Sequence, residues 1–176
     1  MNEIQGDLFE VAKEGYDAFC ITTNGHIKKD GTLTMGRGTA GLAAERFPAL
    51  PRLLAERIRA DGHVLHVVSV TEIEDVSARA RMPTPYLVAF PTKPAWGVIN
   101  YDRLPGWKMP SRIDIIVQSA LELVIAIERF KWAKVLLPRP GCDNGGLHWE
   151  DVESVLWQIF NSKHVLDRVD IVRRGP

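Results

Sequence analysis

From Tyr86 to Val172 the sequence alternates short, wholly apolar runs with longer amphipathic ones. Tyr86-Leu87-Val88-Ala89-Phe90 is followed by a helical pattern starting at Ser111. Lys134-Val135-Leu136-Leu137, a second helical pattern from His148 to Phe160, and Arg168-Val169-Asp170-Ile171-Val172 come next. A strand with no polar side is covered on both faces, and parallel neighbours need a crossover long enough for a helix. The order predicts an α/β sandwich, with a largely parallel sheet between two layers of helices. Ala18-Phe19-Cys20-Ile21-Thr22 and Val64-Leu65-His66-Val67-Val68-Ser69-Val70 read as further buried strands.

The helices have their own signals. Ile113, Ile116, Val117, Ala120, Leu121, Val124 and Ile127 share one face of the long helix, with Ser111 as its cap and Asp114 in a capping-box position. Val152, Leu156, Ile159 and Phe160 point inward from the next, and Trp149 and Trp157 read as helix-face core. One helix starts at Gly38 and is stopped by Pro48. Another fits Pro51 to Ala60, with Gly62 at its C-terminal cap. Residues 91–110 hold four prolines and two glycines without periodicity, which predicts a long loop.

The length of 176 residues suits one domain over 1–176. Lys+Arg and Asp+Glu number 22 each, which argues against a broad basic nucleic-acid surface but not against a local patch. Cys20 and Cys142 form no motif, and Cys20 sits in an apolar run, so no disulfide is expected and the compartment reads as reducing and cytoplasmic. The acidic start MNEIQGDLFE is no signal peptide, and no run is long enough for a membrane span. Histidines 26, 63, 66, 148 and 164 lack metal-ligand spacing, and His66 reads as packed core. No metal or cofactor is expected, and the chain reads as a monomer.

Ligands of such sheets bind at the carboxyl ends of the strands. Three unusual loops begin there: Thr23-Asn24-Gly25, Pro91-Thr92-Lys93, and Pro138 to Gly146. Met35-Gly36-Arg37-Gly38-Thr39-Ala40-Gly41 places glycines before a helix, where backbone amides and the helix N-terminus suit a phosphate. Pro140-Gly141-Cys142-Asp143-Asn144-Gly145-Gly146-Leu147 is a second such cradle. Two cradles facing one another suit a diphosphate. Asp7 fits either an adenine contact or a helix cap, and Asn24 either a sugar contact or an Asn-Gly turn. Lys93 fits either a solvated loop lysine or, if desolvated, an amine nucleophile on a masked aldehyde. Trp96 and Trp107 fall in the long loop, where they could stack on a base or fold the loop over a ligand.

GDLF, ITTNG, MGRGTAGLAAERFP, FPTK and LPRPGCDNGGLHWEDV, in this order over nearly the whole chain, together resemble the macro domain, an ADP-ribose-binding module. The likeness is to the branch with terminal ADP-ribose glycohydrolases and DNA ADP-ribosyl glycohydrolase antitoxins. It implies a three-layer α/β/α sandwich with a mixed, largely parallel sheet and an ADP-ribose cleft. Asp7 and Leu8 would then hold adenine. Thr23, Asn24, Gly36, Arg37, Gly38, Thr39, Ala40 and residues Pro140 through Leu147 would line the diphosphate and distal ribose. Lys93 would be catalytic at the anomeric carbon of that ribose, with Asn24 positioning it.

The chain departs from the pattern twice. Protein-directed glycohydrolases carry an Asp where Gly145 stands, so the resemblance favours hydrolysis of a nucleic-acid adduct. The insertion IKKDGTL brings Lys28 and Lys29 to the cleft rim, where they contact either a nucleic-acid phosphate or only solvent. A non-catalytic ADP-ribose or NAD-metabolite binder and an ADP-ribose 1″-phosphate phosphatase are the alternative activities.

Overall fold

The structure of the chain, a computed structural model, describes residues 1–73, 76–80 and 82–173. Its strands are β1 (Glu3–Gln5), β2 (Ala18–Thr23), β3 (His66–Ser69), β4 (Tyr86–Pro91), β5 (Trp96–Ile99), β6 (Asp102–Pro105), β7 (Val135–Pro138) and β8 (Val169–Arg173). Its α-helices are α1 (Leu8–Val11), α2 (Gly38–Arg46), α3 (Leu50–Asp61), α4 (Val76–Arg79), α5 (Ile113–Phe130) and α6 (Trp149–Ser162). Six strands form one sheet in the order β1-β8-β7-β2-β4-β3, parallel throughout except for β3 against β4.

Strand periodicity divides the core in two. Phe19, Ile21, Leu87, Ala89 and Leu136 pack with Leu8 of α1, Ala43 of α2 and Leu54 of α3. Their neighbours Ala18, Cys20, Val88, Phe90, Val135 and Leu137 pack on the other face with Ile116 and Leu123 of α5 and Leu156 of α6. Alternate side chains point to opposite faces, and here both faces are covered. This is the expected three-layer sandwich with its mixed, largely parallel sheet.

The connections place a crevice. β2 and β7 are neighbours, yet the chain leaving β2 turns into α2 on one face and the chain leaving β7 into α6 on the other. Their divergence opens a gap at the carboxyl ends of the two strands.

Several local expectations are corrected. The presumed long loop over 91–110 contains a hairpin, β5 paired antiparallel with β6, outside the main sheet. Ser111 does not cap α5: Arg112 occupies that position, and its guanidinium pairs with Asp114 (Nε to Oδ1 2.9 Å). The backbone N–H of Ser111 donates instead to Gly145 O at 2.9 Å, so the serine ties down the loop after β7. On α5, Leu123 and Ala126 are buried while Val117 and Leu121 are only half-buried, because the helix meets both the sheet and α6. Ile159 is half-buried, and Trp157 is 50% exposed on the outer face of α6. His66 is buried as expected, with Nε2 3.1 Å from Gly62 O.

His63 makes stability depend on pH. Its Nε2 is buried without a partner, and burial, then the neighbouring His66, push its pKa down to about 4 against an opposing pull from Glu122. The unfolded chain therefore binds this proton more readily, and stability falls as pH drops below about 6.5 toward 4. Allowing for the residue's partial exposure, on the order of 1–2 kcal/mol is expected to be lost by pH 5. Thermal denaturation of the wild type and His63→Phe at pH 7.5 and pH 5 checks this. The wild type is expected to lose the larger Tm between the two conditions, and equal losses would refute the assignment.

Candidate functional site

The crevice between β2 and β7 is a cleft of about 750 Å³. Thr22, Thr23 and Asn24 enter it from β2, Thr92 and Lys93 from β4, and Pro138 and Arg139 from β7. All three loops singled out by topology thus meet at one edge of the sheet.

One wall is the segment Thr34 to Ala40, which runs into α2. No side chain caps this helix, so the amides of Gly38, Thr39 and Ala40 lack intrahelical acceptors. They stand at the cleft with the positive end of the helix dipole behind them. The Thr39 hydroxyl lies 3.1 Å from Thr22 N and accepts its hydrogen bond, which locks the start of α2 to the end of β2.

The opposite wall is the loop after β7. Gly141 and Gly146 take φ of 79° and 77°, which lets the chain reverse twice within this loop. Leu147 N donates to Gly141 O at 3.0 Å and closes the loop on itself. Gly141, Asp143, Asn144 and Gly145 line the cleft; Pro140, Cys142, Gly146 and Leu147 do not. Cys142 is half-buried, and burial raises its thiol pKa to about 11, so it is no thiolate nucleophile at neutral pH.

Lys93 lies between the walls. Thr92 N donates to Thr23 O at 3.0 Å, extending the β2–β4 pairing by one residue and fixing the backbone that leads into the lysine. Lys93 Nζ donates to Asn144 O at 2.8 Å. Burial lowers its pKa, which raises the neutral fraction of the amine. Asn24 is buried with both polar ends engaged: Nδ2 donates to Thr34 O at 2.9 Å, and Oδ1 accepts from His26 N at 2.9 Å. The backbone forms no regular turn at Asn24-Gly25; the asparagine side chain itself spans Gly25 to hold His26, and it also braces the far wall.

The cleft is cationic although the chain is neutral. Arg37, Lys93, Lys108 and Arg139 line it, against Asp143 as the acid among the lining residues. Arg139 is directed outward: Nη2 binds both oxygens of Glu3 at 2.7 and 2.6 Å, and its guanidinium lies 4.8 Å from the Trp149 ring.

Asp7 and Leu8, also expected at the site, stand outside this lining. Asp7 Oδ1 accepts from Phe9 N at 2.9 Å and Glu10 N at 3.2 Å, so this carboxylate caps α1, and Leu8 is buried in the core. Neither lines the cleft. Lys28 pairs with Asp30 at 3.4 Å, and neither Lys28 nor Lys29 lines the cleft. Conversely, Leu104, Trp107 and Lys108 reach it from the hairpin side, and Ser111 from the start of α5. Thr22, Thr92 and Pro138 were recoverable from their places at strand ends. Leu104, Lys108 and Ser111 were not, because the hairpin carries them there.

No protein-family model matches the chain. A DNA ADP-ribosyl glycohydrolase of Mycobacterium tuberculosis is 35% identical over 72 residues, 41% of this chain and 20% of that protein. One of Thermus aquaticus is 27% identical over 74 residues, again 20% of its length. The match thus spans about a fifth of these curated relatives. The solved macrodomain of Mycobacterium tuberculosis DarG superposes with a TM-score of 0.71 at 25% identity, covering 99% of this chain and 97% of that one. Thermosipho africanus DarTG in complex with ADP-ribose gives 0.71 at 19% identity, covering 99% and 43%. The chain has the macrodomain fold.

Proposed function

We propose that this chain, as a macrodomain by fold, binds ADP-ribose in its cleft and hydrolyses ADP-ribosyl groups from a nucleic acid. The observation that carries this reading is a pair of backbone cradles facing each other across a cationic crevice, with a half-buried lysine between them. The diphosphate lies along the uncapped amides of α2, and the backbone of Gly141 to Gly145 closes from the other side. The distal ribose sits at Thr23, Asn24 and Lys93, and adenine runs toward Asp7 and Leu8 at the carboxyl end of β1. The names of the mycobacterial and Thermus relatives support a DNA adduct as the substrate. A reducing cytoplasmic setting and a monomeric state belong to the same proposal; the free thiols of Cys20 and Cys142 agree with the first.

Lys93 carries the chemistry. Its neutral amine adds to the anomeric carbon of the distal ribose as the bond to the base breaks, and the base leaves with a proton. Water then hydrolyses the lysine adduct, giving free ADP-ribose and the amine. The bond to Asn144 O uses one N–H and leaves the lone pair directed elsewhere. Asn24 acts by holding Thr34 and His26, since its own polar atoms already serve them.

Calorimetry with ADP-ribose, followed by a turnover panel, tests this reading. Saturable one-to-one binding is expected, with release from ADP-ribosylated DNA faster than from Glu/Asp-linked or Ser-linked protein. Absence of binding would end the proposal. Binding without turnover would leave a reader module, and turnover of ADP-ribose 1″-phosphate alone a phosphatase.

A further inference from the structure

The hairpin β5–β6 carries a set of side chains that the core does not use. Trp96 is 44% exposed, Val98 66%, Trp107 47% and Tyr101 fully so. Several exposed aromatics gathered on one short hairpin mark a surface that meets something. At the tip, Asn100 and Tyr101 have φ of 50° and 70°. Two successive positive φ values form the turn that Asn and Gly favour, and a tyrosine there is strained. Its ring gains no burial in return.

Cations accompany the rings. The guanidinium of Arg103 lies 4.7 Å from the Trp96 ring centre and the ammonium of Lys108 5.2 Å from that of Trp107. The register pairs Val98 with Arg103 and Trp96 with Pro105, so Trp96, Val98 and Arg103 share one face. From residue 94 to 110 the acid is Asp102 and the bases are Arg103 and Lys108. The base of the hairpin is fixed: a Cβ on Gly106 would fall 1.7 Å from Pro94 O, and Gly106 N donates to Ala95 O at 2.7 Å. Trp107 and Lys108 line the cleft together with Leu104, while Trp96, Val98 and Arg103 lie on the opposite face of the hairpin, so the exposed rings run from the mouth of the cleft around to its outer side.

We propose that this hairpin docks the single-stranded nucleic acid that bears the ADP-ribosyl group. Trp107, Trp96 and Tyr101 take the bases flanking the modified nucleotide, and Lys108 and Arg103 take the phosphates between them. The proposal rests on the nucleic-acid reading of the cleft. Aromatic faces interleaved with cations suit unstacked bases on a charged backbone, and stacking on them tolerates any sequence. In a duplex the flanking bases are already stacked, and an adduct on a paired base is held away from a pocket.

The test uses a fluorescein-labelled, unmodified oligothymidylate and fluorescence anisotropy. The wild type is expected to bind the single strand more weakly as salt rises, and to bind a matched duplex less well. Trp96→Ala/Tyr101→Ala is expected to weaken single-strand binding by about fivefold or more, from one to two lost stacking contacts. Tyr101 lines no part of the cleft, whereas Trp96 packs edge-on against His26 with ring centres 4.8 Å apart, so it is the ADP-ribose affinity of Tyr101→Ala that is expected by calorimetry to stay unchanged. Tyr101→Ala alone removes a fully exposed ring and serves where Trp96→Ala disturbs the fold. No binding of the single strand, equal binding by the variants, or equal affinity for the duplex would each overturn the docking proposal. The calorimetry decides the cleft reading separately: ADP-ribose binding without DNA binding sinks the platform and leaves the cleft.

Discussion

Lys93→Ala is expected to lower release of ADP-ribose from modified DNA by at least about a hundredfold, the lower end of what a positioned proton-transfer or nucleophilic group contributes. ADP-ribose itself is expected to remain bound, because the two cradles stay in place. The expectation follows from the lysine's surroundings: burial lowers its pKa, Asn144 O orients its ammonium, and its backbone is held by the Thr92–Thr23 bond. Lys93→Arg sharpens the test. Arginine keeps the positive charge and a donor for Asn144 O but stays protonated at any usable pH, so it supplies no lone pair. An inactive arginine variant supports the amine mechanism; an active one means that charge alone suffices and the nucleophile is elsewhere. The wild-type rate is also expected to rise with pH and level off below the ordinary lysine pKa, since desolvation favours the neutral amine. Single-turnover rates on an ADP-ribosylated oligonucleotide across pH 6 to 10 measure both.

The sequence and the structure agree best where burial is complete. The strands through Phe19, Val88 and Leu136 were readable to within a residue, because a segment covered on both faces has no polar position to blur it. β3 is shorter than its apolar run: it is the antiparallel edge of the sheet, and pairing with β4 ends at Ser69. The hairpin was invisible for a different reason. Its strands are four residues each, its outer face is exposed, and its turn is made by Asn100 and Tyr101 with no glycine signal. Ser111 misled because a serine before a helix usually caps it; here its amide holds Gly145 O, a contact 34 residues away that no local pattern encodes. In the site, the glycine loops and Lys93 stood out because backbone approach and strand-end position are sequence properties. The cationic rim did not, since Lys108 reaches the cleft only through the hairpin.

Gly145→Asp is expected to damage the cleft rather than extend its chemistry. An acid at this position is the feature that the resemblance assigns to protein-directed hydrolases, so the substitution asks whether the chain accepts one. A Cβ on Gly145 would stand 2.2 Å from Ser111 Oγ and 2.3 Å from Gly141 O. Both distances lie well inside contact, and the second partner is backbone. Gly145 O is also bound by Ser111 N, and Gly141 O by Leu147 N, so moving residue 145 strains both bonds. Overpacking of this kind costs about 1–3 kcal/mol, and a carboxylate brought toward the diphosphate adds repulsion. ADP-ribose affinity is therefore expected to fall about tenfold or more, equivalent to 1.4 kcal/mol, with a lower Tm and no gain of activity on Glu-linked protein. Gly145→Ala separates sterics from charge and is expected to keep the loss of Tm while binding better than the aspartate. Adding Ser111→Ala to Gly145→Ala removes the Oγ clash and leaves the one with Gly141 O, so the double variant is expected to recover only part of the stability. Full recovery would place the obstruction in the serine alone. A Gly145→Asp chain that binds ADP-ribose normally and releases it from protein would overturn the steric account of why this loop carries glycine.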